Sequence, residues 1–121
     1  MAALRQPPSI DAYGGGGFRV SGVRREGSLL ILRDEPMNWD VADFADLTPA
    51  AFDSVIAAGP KEVEFVLLGV GARPLPPPPA VRQALQAAGI GLEVMDTAAA
   101  ARVYNVLAAE GRRLAAALIA I

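Results

Sequence analysis

A chain of 121 residues, of which 53% are hydrophobic and 20% charged, has the length and composition of one folded domain and not of a disordered segment. The formal net charge is only −2 and no basic stripe is present, so the sequence gives no sign of nucleic-acid binding. The chain contains neither Cys nor His, which excludes disulfides, thiol nucleophiles, zinc sites built from Cys or His, and the imidazole base of a catalytic triad.

The N-terminal residues lack the long apolar stretch of a signal peptide, and the longest apolar run, residues 114–121, is too short to span a bilayer. We therefore expect a cytoplasmic protein that does not span the membrane. Residues 1–9 are predicted to be a flexible N-terminal arm, and residues 10–121 a single α/β domain.

The first predicted elements are two strands near the N-terminus. Residues 18–22 alternate apolar and polar side chains, and residues 28–33 form a Leu- and Ile-rich run. The link between them, residues 23–27, is polar and ends in Gly. We therefore predict that these two strands form an N-terminal hairpin. The glycines of residues 14–17 are predicted to form a tight turn, since no P-loop Gly-Lys-Ser/Thr follows them.

The next stretch, residues 34–46, is predicted to be a loop and carries the only tryptophan. Thr48 and Pro49 then indicate a helix over residues 49–58, because Thr is a favoured N-cap residue and Pro fits the first helical position. Residues 63–69 are mostly apolar, which is typical of a strand buried on both faces.

The C-terminal half alternates helices and strands. Helices are predicted over residues 80–88 and 98–110, and strands over residues 91–95 and 114–119. The strand at residues 63–69, the helix at 80–88 and the strand at 91–95 have the spacing of a βαβ unit with a parallel pair of strands. Asp96 and Thr97 precede the last helix and are expected to cap it.

The carboxyl ends of the two parallel strands form the first candidate site, because open α/β sheets place their ligands there. The backbone N–H groups that begin the last helix could meet an anion, although the charge of Asp96 opposes this. A dinucleotide fingerprint is not matched, since Pro74 stands at its third glycine position. The candidate ligand-binding residues are Gly69, Gly71, Arg73, Thr97, Arg102 and Asn105.

Asn105 has two interpretations. It lies three residues after Arg102 on the same predicted helix face, and Asn is a poor residue for the middle of a helix. Its amide either belongs to the candidate site or hydrogen-bonds a neighbouring loop.

The second candidate site is the acidic stretch around Trp39. No basic residue lies between Arg33 and Lys61, but the spacing is not that of a calcium loop, so the carboxylates form a solvated face or contact a basic partner. Trp is enriched at binding hot spots, and Trp39 either plugs the core or, with Asp40 and Asp43, contacts a protein partner.

The C-terminal third resembles an uncharacterised bacterial family that also contains the mitochondrial complex I assembly factor 3 and the adipogenesis-associated domain protein of animals. The resemblance rests on a specific spacing of six residues and covers about residues 10 to 120. Those residues are Thr97, Arg102, Tyr104, Asn105, Leu107 and Glu110. The family often has Cys and Thr where this chain has Ala101 and Val103, so chemistry that uses those side chains is absent here.

The resemblance implies a compact α/β domain of three layers with a mixed central sheet, and no established enzyme activity. Our first hypothesis is therefore a non-enzymatic, protein-binding assembly or chaperone-like factor for a membrane-associated complex. The alternative is a small-molecule or anion-binding enzyme that uses the crevice at Gly69, Gly71 and Thr97. A third possibility is a structural homodimer. We expect no cofactor and no bound metal.

Overall fold

The computed structural model of the chain describes residues 5–121, so the first four residues of the predicted arm lie outside it. Its helices are α1 (Asp53–Ala58), α2 (Pro79–Ala87) and α3 (Thr97–Ala109), with 3-10 turns at Phe44–Asp46 and Pro49–Phe52. Its strands are β1 (Ile10–Gly14), β2 (Gly17–Val20), β3 (Val23–Glu26), β4 (Leu29–Leu32), β5 (Glu35–Asn38), β6 (Phe65–Gly69), β7 (Gly91–Met95) and β8 (Leu114–Leu118).

Five strands form the central sheet in the order β5-β4-β8-β6-β7. Strand β4 is antiparallel to β5 and β8, whereas β6 is parallel to β7 and β8, so the sheet is mixed. The predicted parallel pair is confirmed, with α2 as its crossover between β6 and β7. Helix α3 then returns the chain to β8 on the other side of β6.

The central sheet is covered on both faces, which confirms the three-layer α/β fold. Helices α1 and α2 pack on one face, through side chains such as Val55, Val81 and Leu85. Helix α3 and the small sheet β1-β2-β3 pack on the other face, where Phe18 and Tyr104 are almost fully buried. Every residue of β6 and β8 is buried, as the apolar runs in the sequence predicted.

A hairpin is present near the N-terminus, but its second strand is not the one predicted. Residues 23–26 are not a link: they form β3, which pairs with β2 so that Val23 lies opposite Val20. Ser21 and Gly22 make the two-residue turn between them, both with positive φ angles, which fits the twist of a β-hairpin. The run at residues 28–33 therefore leaves the small sheet and becomes β4 of the central one.

The predicted loop over residues 34–46 is also corrected, because it contains β5 and a 3-10 turn. Arg33 and Asp34 have φ angles of 51° and 64° and form the turn of a β4–β5 hairpin. Pro36 lies within β5, which is possible because β5 is an edge strand and loses no partner on its open side.

The helices agree with the sequence patterns apart from their ends. The predicted helix over residues 49–58 begins as the 3-10 turn Pro49–Phe52 and continues as α1. Helices α2 and α3 begin and end within one residue of the predicted bounds. Among residues 5–121, no helix combines the length and apolar character that crossing a bilayer requires.

The part of the predicted arm that the structure describes is held at Arg5. Its guanidinium donates from Nε and Nη2 to the two carboxylate oxygens of Asp34, at 3.0 and 2.8 Å. Its Nη1 donates to the carbonyl oxygen of Gly111, just after α3, at 2.9 Å. These contacts join the arm to the β4–β5 turn and to the end of α3.

Candidate functional site

The carboxyl ends of β6, β7 and β8 lie along one edge of the central sheet, and Thr97 joins two of them. Its hydroxyl donates to the carbonyl oxygen of Ile119, just after β8, at 2.7 Å and accepts from the N–H of Gly71, just after β6, at 2.9 Å. The backbone N–H of Thr97 also donates to the carbonyl oxygen of Gly71. Thr97 is 0% exposed, so its hydroxyl stabilises the fold at this edge and does not face solvent.

Gly69 lets α3 begin directly against the sheet. A Cβ atom at this position would lie 2.9 Å from Thr97 Cα and 3.0 Å from Leu118 Cδ2, closer than side chains normally pack. The crevice predicted at Gly69, Gly71 and Thr97 is therefore filled by contacts within the chain. Ligand binding there stays a prediction, with Arg73 as the exposed charged residue on the adjoining loop.

The cap of α3 differs from the expectation that Asp96 and Thr97 share it. Asp96 is the N-cap residue, and its Oδ1 accepts from the N–H of Ala99 at 2.8 Å. Thr97 is the first helical residue, and its hydroxyl points to β6 and β8 instead. Mutation of Thr97 would therefore break a link between the ends of β6 and β8 and leave the helix cap at Asp96 in place.

Arg102 and Asn105 share a face of α3, as predicted, and this face contacts β1. Asn105 Oδ1 accepts from the N–H of Ile10 and its Nδ2 donates to the carbonyl oxygen of Ile10, both at 2.8 Å. Arg102 Nη1 donates to the hydroxyl of Tyr13 at 2.8 Å. The Asn105 amide thus hydrogen-bonds a neighbouring segment, the second of its two interpretations, and attaches the small sheet to α3.

We expect Asn105→Ala to lower the free energy of unfolding by about 2 kcal/mol, because both backbone groups of the buried Ile10 lose their partner. Urea unfolding measures the change. Arg102→Ala is the control on the same face: its bond to Tyr13 is exposed, so a loss below about 0.5 kcal/mol is expected. Equal effects of the two substitutions would contradict this account.

The acidic stretch carries its charges on the surface and its tryptophan inside. The Trp39 ring is 7% exposed, meets Phe52 edge to face at 5.6 Å, and donates from Nε1 to the carbonyl oxygen of Ala51 at 2.9 Å. Asp40 and Asp43 are exposed. Of the two interpretations of Trp39, the structure fits the core plug, because its ring and its N–H are both used within the chain. A contact of this residue with a protein partner stays a prediction.

The carboxylates nevertheless surround an opening above this tryptophan. A cavity of about 300 Å³ is lined by Trp39, Asp40, Asp46 and Thr48, among others. The N–H of Asp43 donates to Asp46 Oδ2 at 3.1 Å, which fixes the turn between them. Within residues 5–121, no three acidic side chains come close enough to hold a metal ion. The arrangement is an acidic surface with an opening that Trp39 partly lines.

Tyr104 places a hydroxyl group in the core. It lies on the inner face of α3, 1% exposed, and its hydroxyl has no hydrogen-bond partner among residues 5–121. Burial, with a smaller contribution from the charge of Asp34, raises the pKa of this hydroxyl well above its ordinary value. The position of Tyr104 four residues after Ala100 in the last predicted helix is typical of an inward-facing residue, but this spacing could not show that no acceptor lies near.

We expect Tyr104→Phe to raise the free energy of unfolding by about 1 kcal/mol, because a buried hydroxyl without a partner is removed and the ring is kept. The raised pKa also implies that wild-type stability falls as pH rises above about 10, where the unfolded chain ionises first. Urea unfolding at neutral and alkaline pH measures both effects. A loss of stability in the Phe variant would mean that the hydroxyl has a bonded partner, such as a water molecule.

Relatives of the chain are found among curated proteins and solved structures. An uncharacterised protein of Rhodobacter capsulatus is 41% identical over 110 residues, 91% of this chain and 82% of that protein. The bovine NADH dehydrogenase [ubiquinone] 1 alpha subcomplex assembly factor 3 is 36% identical over 110 residues, again 91% of this chain but 59% of that protein. The bovine protein is therefore longer than the part it shares with this chain.

The fold recurs in a crystal structure of a protein from Bordetella parapertussis. The two structures have a TM-score of 0.86 at 34% sequence identity, over 98% of this chain and 100% of that one. The match includes both the small sheet and the central sheet, since almost the whole chain is covered. The family model described as "Protein of unknown function (DUF498/DUF598)" matches residues 10–119, and the chain belongs to this family.

Proposed function

We propose that this protein is a non-enzymatic assembly or chaperone-like factor, which binds other proteins in the cytoplasm during assembly of a membrane-associated complex. The observation that carries the proposal is its similarity to the bovine assembly factor, at 36% identity over 91% of this chain. The shared part covers 110 residues, 91% of this chain, so the proposal assigns the assembly role to the α/β domain.

The local geometry supports a binding role over catalysis. The strand-end residues Gly69, Gly71 and Thr97 are used in internal contacts. The chain has no His or Cys to act as a base or nucleophile near neutral pH. The surface carries exposed charged side chains, and charged side chains contribute to protein recognition.

The contact surface that we propose is the acidic turn that contains Asp40 and Asp43. Both carboxylates are exposed, and the buried Trp39 beside Asp40 is bonded through its Nε1 to the carbonyl oxygen of Ala51. Charged groups at the rim of an interface speed encounter with an oppositely charged partner. A basic surface on a complex subunit is the partner that this arrangement fits.

The test is deletion of the gene in the source organism, followed by native gel electrophoresis of its NADH dehydrogenase complex. We expect less assembled complex, restored by the wild-type chain and restored poorly by Asp40→Lys or Asp43→Lys. Glu110→Lys, an exposed residue at the end of α3, is a control matched in charge change. Unimpaired assembly in the deletion strain would refute the assembly role. Full rescue by both Lys variants would refute the acidic contact surface but not the assembly role.

A further inference from the structure

Strand β7 is an open edge of the central sheet, and its outward backbone groups can pair with another strand. Within residues 5–121, the only strand that pairs with it is β6. The N–H of Gly91 and the carbonyl oxygen of Met95 bond to the β6 side, at Glu64 and Val70. Because backbone groups alternate along a strand, the N–H and C=O groups of Leu92 and Val94 point outward. Natural edges are commonly blocked by Pro, as β5 is by Pro36, but β7 contains none.

An apolar groove of about 340 Å³ runs beside this edge, between β7 and α3. Phe65 and Leu67 of β6 form its floor, and Val103 and Leu107 of α3 form one wall. Gly91 keeps the groove open at the start of β7, since a Cβ atom there would lie 3.0 Å from Phe65 Cβ. The groove therefore has room for an apolar side chain from a strand that pairs with β7.

Glu93 is the acidic residue of the groove. It is exposed in the middle of β7, and none of the ion pairs among residues 5–121 involves it. The other charged residue of the groove is Arg112, whose guanidinium lies over the Phe65 ring at 5.1 Å and bonds to Glu64. The carboxylate of Glu93 is thus free to meet a cation.

A second copy of the chain fits this edge poorly. In antiparallel pairing of two β7 strands about a two-fold axis, the outward backbone groups of Leu92 and Val94 set the possible registers. In each of them the two Glu93 side chains lie on the same face, directly opposite or diagonal to one another. Like charges directly opposite one another destabilise a strand pair, and side chains in the diagonal positions are still only about 7 to 8 Å apart. A strand that brings a basic residue to Glu93 is favoured by the same geometry.

We infer that β7 binds an extended segment of another protein as an added strand. The segment places an apolar side chain in the groove and a Lys or Arg, two residues away on the same face, beside Glu93. Backbone pairing supplies affinity and the groove and Glu93 supply selectivity, as in other cases of strand addition. This surface is distinct from the acidic turn, and its existence does not depend on the assembly role.

The test is selection of displayed random peptides of about nine residues, long enough to cover the five residues of β7 with two residues to spare at each end. We expect enrichment of sequences with an apolar residue and a Lys or Arg two positions apart. A synthetic copy of the most enriched peptide should slow amide hydrogen exchange at Leu92 and Val94. No enrichment of this pattern, or protection elsewhere in the chain, would overturn the inference.

Substitutions of Glu93 test whether the selected peptide binds at β7. We expect Glu93→Gln to weaken the selected peptide about tenfold, as the loss of one charged contact does, and Glu93→Lys to weaken it further. Glu110→Lys should leave affinity unchanged. Unchanged affinity in both Glu93 variants would overturn the inference, and so would concentration-dependent dimerisation through β7 in the absence of peptide. Because these measurements use the purified chain, they can fail or succeed separately from the assembly experiment.

Discussion

Trp39→Ala is expected to lower the free energy of unfolding by about 4 kcal/mol, the range for truncation of a buried aromatic side chain. The ring is 7% exposed and packs edge to face on Phe52, so the substitution leaves a cavity beside α1. It also removes the donor that satisfies the carbonyl oxygen of Ala51. Urea unfolding of the wild type and the variant measures the difference.

Two variants separate packing from surface effects at this position. Trp39→Phe keeps much of the ring contact and loses the Nε1 hydrogen bond, so a smaller loss of about 1 to 2 kcal/mol is expected. Asp40→Lys alters only an exposed charge and should change stability by less than about 0.5 kcal/mol. If Trp39→Ala instead left stability intact and abolished complex assembly, Trp39 would be a partner anchor after all.

The residues around Trp39 show why the sequence left two interpretations of it open. Pro36 and the surrounding carboxylates are typical of a loop, and an aromatic residue in a loop is a reasonable candidate for an interface. The positive φ angles of Arg33 and Asp34 turn this segment into an edge strand instead. No Gly marks that turn, so local pattern alone did not indicate it.

The elements that were predicted well are those whose apolar pattern is strong and whose neighbours are close in sequence. Strand β6 is apolar throughout and is followed by α2 and β7 within thirty residues, so periodicity and chain length define the βαβ unit. The small sheet was harder. Ser21 and Gly22 form a two-residue turn that the alternation of residues 18–22 concealed.

The strand ends lie where the sequence predicted them, but the internal contacts of Thr97 were not predicted. The βαβ reasoning places Gly69 and Thr97 at one edge of the sheet, where the structure has them. What it could not show is that the Thr97 hydroxyl is used by Ile119, 22 residues later in the sequence. That contact exists because β8 inserts beside β6, a pairing that no local pattern specifies.

Thr97→Val is therefore expected to lower the free energy of unfolding by about 3 kcal/mol, although the two side chains have nearly the same shape. The substitution leaves the Ile119 carbonyl oxygen, which is buried, and the Gly71 N–H, which is partly buried, without their partner. Each buried group left unsatisfied costs about 1 to 3 kcal/mol. Chemical denaturation measures the loss.

Thr97→Ser and Asp96→Ala distinguish this bridge from the helix cap. The Ser variant keeps the hydroxyl and loses one buried methyl group, so we expect a loss of about 1 kcal/mol. Asp96→Ala removes the true N-cap, which accepts from the N–H of Ala99, and should also cost about 1 kcal/mol. If Val and Ser at position 97 destabilised the chain equally, the loss would come from packing and not from the two hydrogen bonds. Hydrogen exchange at the Gly71 amide separates the two cases. If the hydroxyl links β6 to β8, this amide should exchange faster in the Val variant than in the Ser variant. If only packing is lost, the two variants should exchange at the same rate there.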